Sequence, residues 1–392
     1  MDRELSKRTR GFILRTAAIF CAVVLLMTSF SYIIDPAGLF HPDSKMETAR
    51  STIEIIKAGH NVANMGNFDE RMVKRYALYS LGVHDTIVLG SSRAALISKD
   101  MAGDESFFNY SVTGAMAQDI IAMYGLLHKE GKLPQRVIIS LDMWWLNDNY
   151  ENDRYFTAMQ DGYAYYASER LGYTDIAAEN SAVGQMYSDV NYRVDDIVMP
   201  WQASAKELQE VFSVPYFQAS LKSLSEENTK PAATDDYLGE TGILRTDGSY
   251  GYPRGFREAS EDTIKQLASE WIPENVLGCE DYTTSGTVVQ QIFYDFIKSL
   301  VEDGVDVDFV LMPINPVVYD HMIKHYRYDR ALRSEDWFLD VAAEFSLDIA
   351  GSFNPYNLGA VISDFYDAPH YKMEKVAELV QEVSMKTNAE TA

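Results

Sequence analysis

Hydrophobic positions along this chain fall into three patterns. Residues 16–34 run without a charge, and a helix rising about 1.5 Å per residue would carry them across a hydrocarbon layer of about 30 Å. Residues 86–90 (TIVLG), 106–110 and 136–142 (RVIISLD) are short runs rich in β-branched or aromatic residues, the signature of strands covered on both faces. Between them, residues 115–128 set Ile120, Met123, Tyr124 and Leu127 at i, i+3, i+4 and i+7, one buried face of a helix. The alternation resumes late in the chain, with a helix over 287–302, a strand over 307–312 and a helical stretch over 317–345. A short strand over 347–350 and a closing helix over 371–385 complete it, the helix burying Met373, Val376, Val380 and Val383. Strands alternating with helices predict an α/β domain around a parallel sheet.

This divides the chain into a tail (1–15), a transmembrane helix (16–34) and a lead-in (35–83) with short helices at 46–57 and 69–81. The α/β domain is then drawn from 84–142 and 283–392. Residues 143–282 are too long for a loop and read as an aromatic-rich, largely helical insertion, with turns at Lys230-Pro231-Ala232-Ala233 and Asp247-Gly248-Ser249-Tyr250-Gly251.

Arg3, Lys7, Arg8, Arg10 and Arg15 precede the apolar run, so the positive-inside bias predicts a cytoplasmic N-terminus and an extracytoplasmic remainder. A secretory signal is the competing reading, but the run ends in Tyr32-Ile33-Ile34-Asp35-Pro36, without a small-x-small cleavage site. The net charge of −24 argues against nucleic acid or anionic lipid as partners of the exported part, and solubility explains the acidity more simply than cation binding. Only Cys21 and Cys279 are present, the first inside the apolar run, so neither an intrachain disulfide nor a thiolate metal site is expected.

Gly90-Ser91-Ser92-Arg93 closes the first strand, and Asp367-Ala368-Pro369-His370 stands before the last helix. Together they supply the hydroxyl, base and orienting carboxylate that acyl transfer needs. Ligands of parallel α/β sheets bind beyond the carboxyl ends of the strands, where a following helix adds N–H donors. The exported region has no Gly-x-Ser-x-Gly, and Asp367 and His370 are separated by only two residues, unlike the α/β-hydrolase arrangement.

In these motifs the chain resembles the SGNH (GDSL-like) hydrolases. The resemblance implies a flavodoxin-like three-layer domain, Ser92 as nucleophile, and Asp367 and His370 as its partners. It also implies Gly114, in Asn109-Tyr110-Ser111-Val112-Thr113-Gly114, and the Ser92 N–H as oxyanion donors. The family's third block, Gly-x-Asn-Asp, is replaced here by Asp142-Met143-Trp144-Trp145-Leu146-Asn147-Asp148, which displaces Asn147 from the donor position. A similar loss, with aromatics in that place, marks the membrane-anchored proteins of teichoic-acid D-alanylation and exopolysaccharide O-acetylation. That branch implies an acetyl or D-alanyl group, a cell-envelope polysaccharide or teichoic acid substrate, and a multispanning membrane acyltransferase as partner. It implies no metal or organic cofactor.

Each motif has a plainer reading. Ser91 can be the N-cap of a strand-to-helix turn, and Asp364 competes with Asp367 to orient His370. Arg93 is a candidate for an anionic substrate, although a salt bridge suits it better. His321 and His325 stand four apart without an evident third metal ligand. Trp144, Trp145, Tyr150, Tyr155, Phe156, Tyr163, Tyr165 and Tyr166 suit either sugar stacking, with Trp144 and Trp145 as substrate contacts, or a packed core.

Overall fold

In the computed structural model, residues 2–36, 38–41, 43–65, 68–147, 158–173, 187–194, 197–204, 209–225, 230–273 and 288–390 are described, with Val276, Gly278, Cys279, Glu280 and Tyr282. The first element is a helix, Asp2–Ile34. Its Thr9–Ile34 part is long and apolar enough to cross a membrane, and nearly all of it is uncovered by the rest of the protein. A second helix, Asp43–Lys57, leads to strand β1 (Asn61–Ala63) and the helix Glu70–Ser80.

The central sheet takes β2 (Thr86–Leu89), β3 (Phe107–Asn109) and β4 (Arg136–Leu141) from the first half of the domain. A two-stranded antiparallel ribbon follows, β5 (Tyr187–Val194) and β6 (Ile197–Ser204), and then the short strands β7 (Ala232–Thr234), β8 (Ile243–Leu244) and β9 (Tyr250–Gly251). The sheet is completed by β10 (Asp306–Leu311) and β11 (Asp348–Gly351). Its order is β11-β10-β4-β2-β3, parallel throughout, with Leu89 facing Ile139 and Leu141 facing Leu311. Counted by sequence within this sheet the order is 2-1-3-4-5, that of doubly wound flavodoxin-like sheets, whose switch point lies between the first and third strands.

Strand period two explains the layering. Ile87, Leu89, Val137, Ile139, Leu141, Val307, Phe309 and Leu311 enter one apolar core, and Val88, Ile138 and Val310 enter the other. The first core is closed by the helices Ala117–Lys129 and Val288–Glu302, through residues such as Ile120, Tyr124, Phe293 and Phe296. The closing helix, Met373–Glu390, seals the second with Val376, Leu379, Val380 and Val383. The stretch read as helical over 317–345 breaks into Pro316–Met322, Asp329–Leu332 and Ser334–Phe345.

Two expectations change. The insertion is not largely helical among its described residues: β5 to β9 sit there beside the helices Gln160–Tyr165, Val214–Ser225 and Glu261–Glu270. Val190, Tyr192, Val194, Ile197, Val198 and Trp201 give the ribbon its strand propensity. The lead-in, read as two short helices, also contributes a strand. β1 pairs with β7 and β8 in an antiparallel sheet ordered β7-β1-β8-β9, and Glu70–Ser80 is buried on nearly every side. Its three buried cations are each matched: Arg71 to Asp119 at 2.7 and 3.0 Å, Arg75 to Asp161 at 2.5 and 2.8 Å, and Lys74 to the carbonyls of Asn109 and Gly248. Buried charge is tolerable only when paired in this way.

Candidate active site

β2 ends in a turn that only glycine fits. A Cβ on Gly90 would lie 2.8 Å from Ala94 Cβ and 3.0 Å from Ser140 Cβ, so the chain can turn tightly against β4. The two serines that follow divide the work. Ser91 is fully buried and its hydroxyl accepts from the Arg93 N–H, capping the short 3-10 turn Ser92–Ala94. Ser92 takes the first position of that turn and stays partly open to solvent. Among the described residues its N–H meets no acceptor, as expected at a helical N-terminus.

Ser92 Oγ lies 2.9 Å from His370 Nε2. Both carboxylate oxygens of Asp367 lie 2.9 Å from His370 Nδ1, and Asp367 Oδ1 also accepts the His370 N–H at 3.0 Å. A carboxylate at Nδ1 keeps the proton there, which leaves Nε2 able to accept from the serine. Asp364 is engaged elsewhere, accepting the Val361 N–H at 2.9 Å. The loop is fixed from below by Asn315, whose side chain donates to the Asp367 carbonyl at 3.0 Å and whose N–H donates to that of Ala368 at 2.9 Å.

Arg93 is a core residue rather than a substrate contact. Its guanidinium is wholly buried and donates to Asp142 Oδ1 at 3.0 Å, to the carbonyls of Pro313 (2.9 Å) and Pro369 (3.2 Å), and to that of Met312. Burial pushes the Asp142 carboxyl up to about 6, opposed by Arg93, and burial pulls Arg93 below its ordinary value, opposed by Asp142. All three nitrogens donate inside the fold and the side chain has no exposed surface, so the guanidinium is not presented to a ligand.

The third block departs from expectation in the same way. Trp144 and Trp145 are buried, and both indole N–H groups donate to the Ala115 carbonyl, at 3.1 and 2.8 Å. Asn147 is buried, and its amide donates to the carbonyls of Gly278 (2.6 Å) and Glu280 (3.0 Å). It therefore ties down the insertion instead of facing Ser92. Tyr163 and Tyr166 are core as well, while Tyr150, Tyr155 and Phe156 lie outside the described residues. Gly114 adopts a left-handed turn, φ +61°. The wall beside Ser92 is formed by its neighbours Ser111, Val112 and Thr113.

That wall belongs to a notch of about 20 Å³ also bounded by Lys74, Leu244 and Tyr250. Burial pulls the Lys74 ammonium down to about 8. Tyr252 packs against the relay: its hydroxyl donates to the Ser92 carbonyl at 3.3 Å, and its ring lies 5.5 Å from that of His370. Burial holds this phenol far above its ordinary value, so it remains a donor. Tyr252, Asn315 and Lys74 carry no motif that would have pointed to them from the sequence.

A larger cavity, about 370 Å³, is lined by Leu146, Tyr282, Gln290, Arg330, Arg333 and Trp337, with Ser334. Leu146 follows β4, and Gln290 and Ser334 open helices that lead into β10 and β11. In a parallel sheet those positions share the carboxyl edge with Ser92 and His370. His321 and His325 lie 4.2 Å apart between ring centroids, tilted by 30°, but among the described residues no cluster of three metal-ligating side chains occurs. Comparison of the chain with models of known protein families and with curated proteins found no match to either.

Proposed function

We propose that this chain is a membrane-anchored serine esterase or acyltransferase of SGNH type. Its substrates are acetyl or D-alanyl groups on an extracytoplasmic polysaccharide or teichoic acid of the cell envelope. The observation that carries the reading is the Ser92–His370–Asp367 relay, with 2.9 Å at each link. The motif order of the SGNH hydrolases and the doubly wound strand order support the same assignment.

Ser92 Oγ attacks the acyl carbonyl carbon as its proton passes to His370 Nε2, and Asp367 stabilises the resulting imidazolium. The Ser92 N–H donates to the developing oxyanion. Collapse breaks the ester bond, His370 returns the proton to the departing alcohol, and the acyl group stays on Ser92. Water or a glycan hydroxyl then attacks that ester by the same route in reverse, giving hydrolysis or transfer. A notch of about 20 Å³ admits about one water-sized group, which favours a small acyl group over a long chain. The chemistry needs no metal or organic cofactor. In the transferase reading, the anchor holds the domain outside the cytoplasm, beside a multispanning membrane acyltransferase that delivers the acyl group.

A second reading is a glycan-binding or scaffolding component without chemistry. It is favoured by Asn147, whose donors are spent on Gly278 and Glu280 and cannot serve an oxyanion. Intact-mass analysis of the full chain after a fluorophosphonate probe separates the two. The enzyme reading expects one adduct, lost in Ser92→Ala and strongly slowed in His370→Ala; an unmodified wild-type chain would favour the scaffold.

A further inference from the structure

The helix Val214–Ser225 packs against the C-terminal end of the apolar helix Asp2–Ile34. Two contacts fix it there. Tyr216 donates its hydroxyl to Asp35 Oδ1 at 2.7 Å, and the same carboxylate accepts the N–H groups of Leu39, Phe40 and His41 at 2.7 to 2.8 Å. One turn earlier on the apolar helix, Phe30 meets Phe217 edge-on, with ring centroids 5.6 Å apart.

Val211, Tyr216 and Ser220 form the covered side. The adjoining strip carries Val214, Phe217, Leu221 and Leu224 at i, i+3, i+7 and i+10, one line along a helix. Val214 is 55% exposed, Leu221 48% and Leu224 62%, and Phe212 just before the helix is 65% exposed. Gln218 and Lys222 occupy the opposite flank. A row of large apolar side chains left in water marks a surface made for another phase or another molecule.

We infer that the strip rests in the lipid interface, giving the domain a second membrane contact beside its anchor. Continuity selects lipid as the occupant. Phe30 belongs to the run that is long and apolar enough to cross a bilayer, and it lies four residues, about 6 Å, below the end of that helix. Phe217 sits at Phe30, so the strip is anchored at the depth of about 5–10 Å where interfacial helices bury their apolar face. Lys222, on the polar flank, is exposed, as a residue bordering the headgroup layer would be. A single helix lets a domain swivel, whereas a helix plus an interfacial strip fixes which face turns to the membrane. The inference rests on insertion of Asp2–Ile34 in a bilayer and not on the chemistry of Ser92.

The test uses the full chain carrying Cys21→Ser, with the buried Cys279 kept. A single cysteine is introduced by Leu221→Cys, Leu224→Cys, Lys222→Cys or, as an anchor control, Leu25→Cys. Each is labelled with an environment-sensitive fluorophore and reconstituted in phosphatidylcholine–phosphatidylglycerol vesicles. The expected result is quenching at 221 and 224 by lipids with a shallow doxyl group, several-fold stronger than at 222, with iodide quenching 222 preferentially. Iodide quenching at 221 and 224 equal to that at 222 would overturn the inference. Protection at 221 and 224 from both quenchers would also overturn it, and would assign the strip to a protein partner or a second copy. A control at 25 that deep doxyl lipids fail to quench would refute insertion of the anchor itself.

Discussion

Arg93 follows Ser92 in the chain and donates to the carbonyl of Pro369, the residue before His370, at 3.2 Å. One buried guanidinium thus ties the turn bearing the hydroxyl to the loop bearing the imidazole. It also ties both to Asp142 and to the end of β10 through Met312 and Pro313. The separation of Ser92 and His370 is set from beneath by a group that touches neither side chain.

Arg93→Met alone leaves Asp142 buried without its cation, a defect of about 3–5 kcal/mol. Adding Asp142→Asn restores neutrality and is expected to recover most of the lost urea midpoint. Fluorophosphonate labelling of Ser92 in that double variant should still be slower by about a hundredfold, the scale of a 1 Å misplacement. Labelling at the wild-type rate would mean the guanidinium serves only charge balance.

Asp367→Asn keeps an acceptor for the His370 N–H but removes the charge that holds the tautomer. Hydrolysis of an aryl acetate is expected to fall by about 10³ to 10⁴, with the fold intact by circular dichroism. A loss below tenfold would remove Asp367 from the relay.

Asn147→Ala should behave oppositely. Because its amide serves the carbonyls of Gly278 and Glu280, stability is expected to fall by about 1–3 kcal/mol. Turnover per folded molecule should change less than tenfold, against the about 10² to 10³ lost with an oxyanion donor. Denaturant titration with active-site counting separates the two effects.

Asp308 gives a pH signature. Burial, opposed by Arg136, pushes its carboxyl up from 3.8 to about 6. A carboxyl raised in the folded state binds its proton more tightly there, so its contribution is fully present below about 4 and is lost as pH rises through about 6. The urea-derived stability of wild type minus that of Asp308→Asn should therefore be larger at pH 4 than at pH 7, by on the order of 2 kcal/mol. A flat difference across that window would contradict the shift.

Patterns of short range were legible in the sequence. The apolar run of the first helix, the largely apolar strands β2 and β4, the β-branched and aromatic core of β10, and the i, i+3, i+4, i+7 face of Ala117–Lys129 depend on neighbours within a few residues, and the local pattern reports them directly. The Gly90-Ser91-Ser92 turn and the spacing of Asp367 from His370 were local too. Long-range partners decided the rest. Whether Trp144 and Trp145 stack on a sugar or point inward depends on where Ala115 lies, about thirty positions away. Whether Arg71, Lys74 and Arg75 are solvated depends on Asp119, Asn109 and Asp161. The fate of Arg93 was set by carbonyls more than two hundred residues distant, because burying a charge requires partners that only the assembled sheet edge brings within reach. The same holds for Asn147, which the sequence locates near the donor position that the SGNH resemblance implies and whose amide packing commits to Gly278 and Glu280.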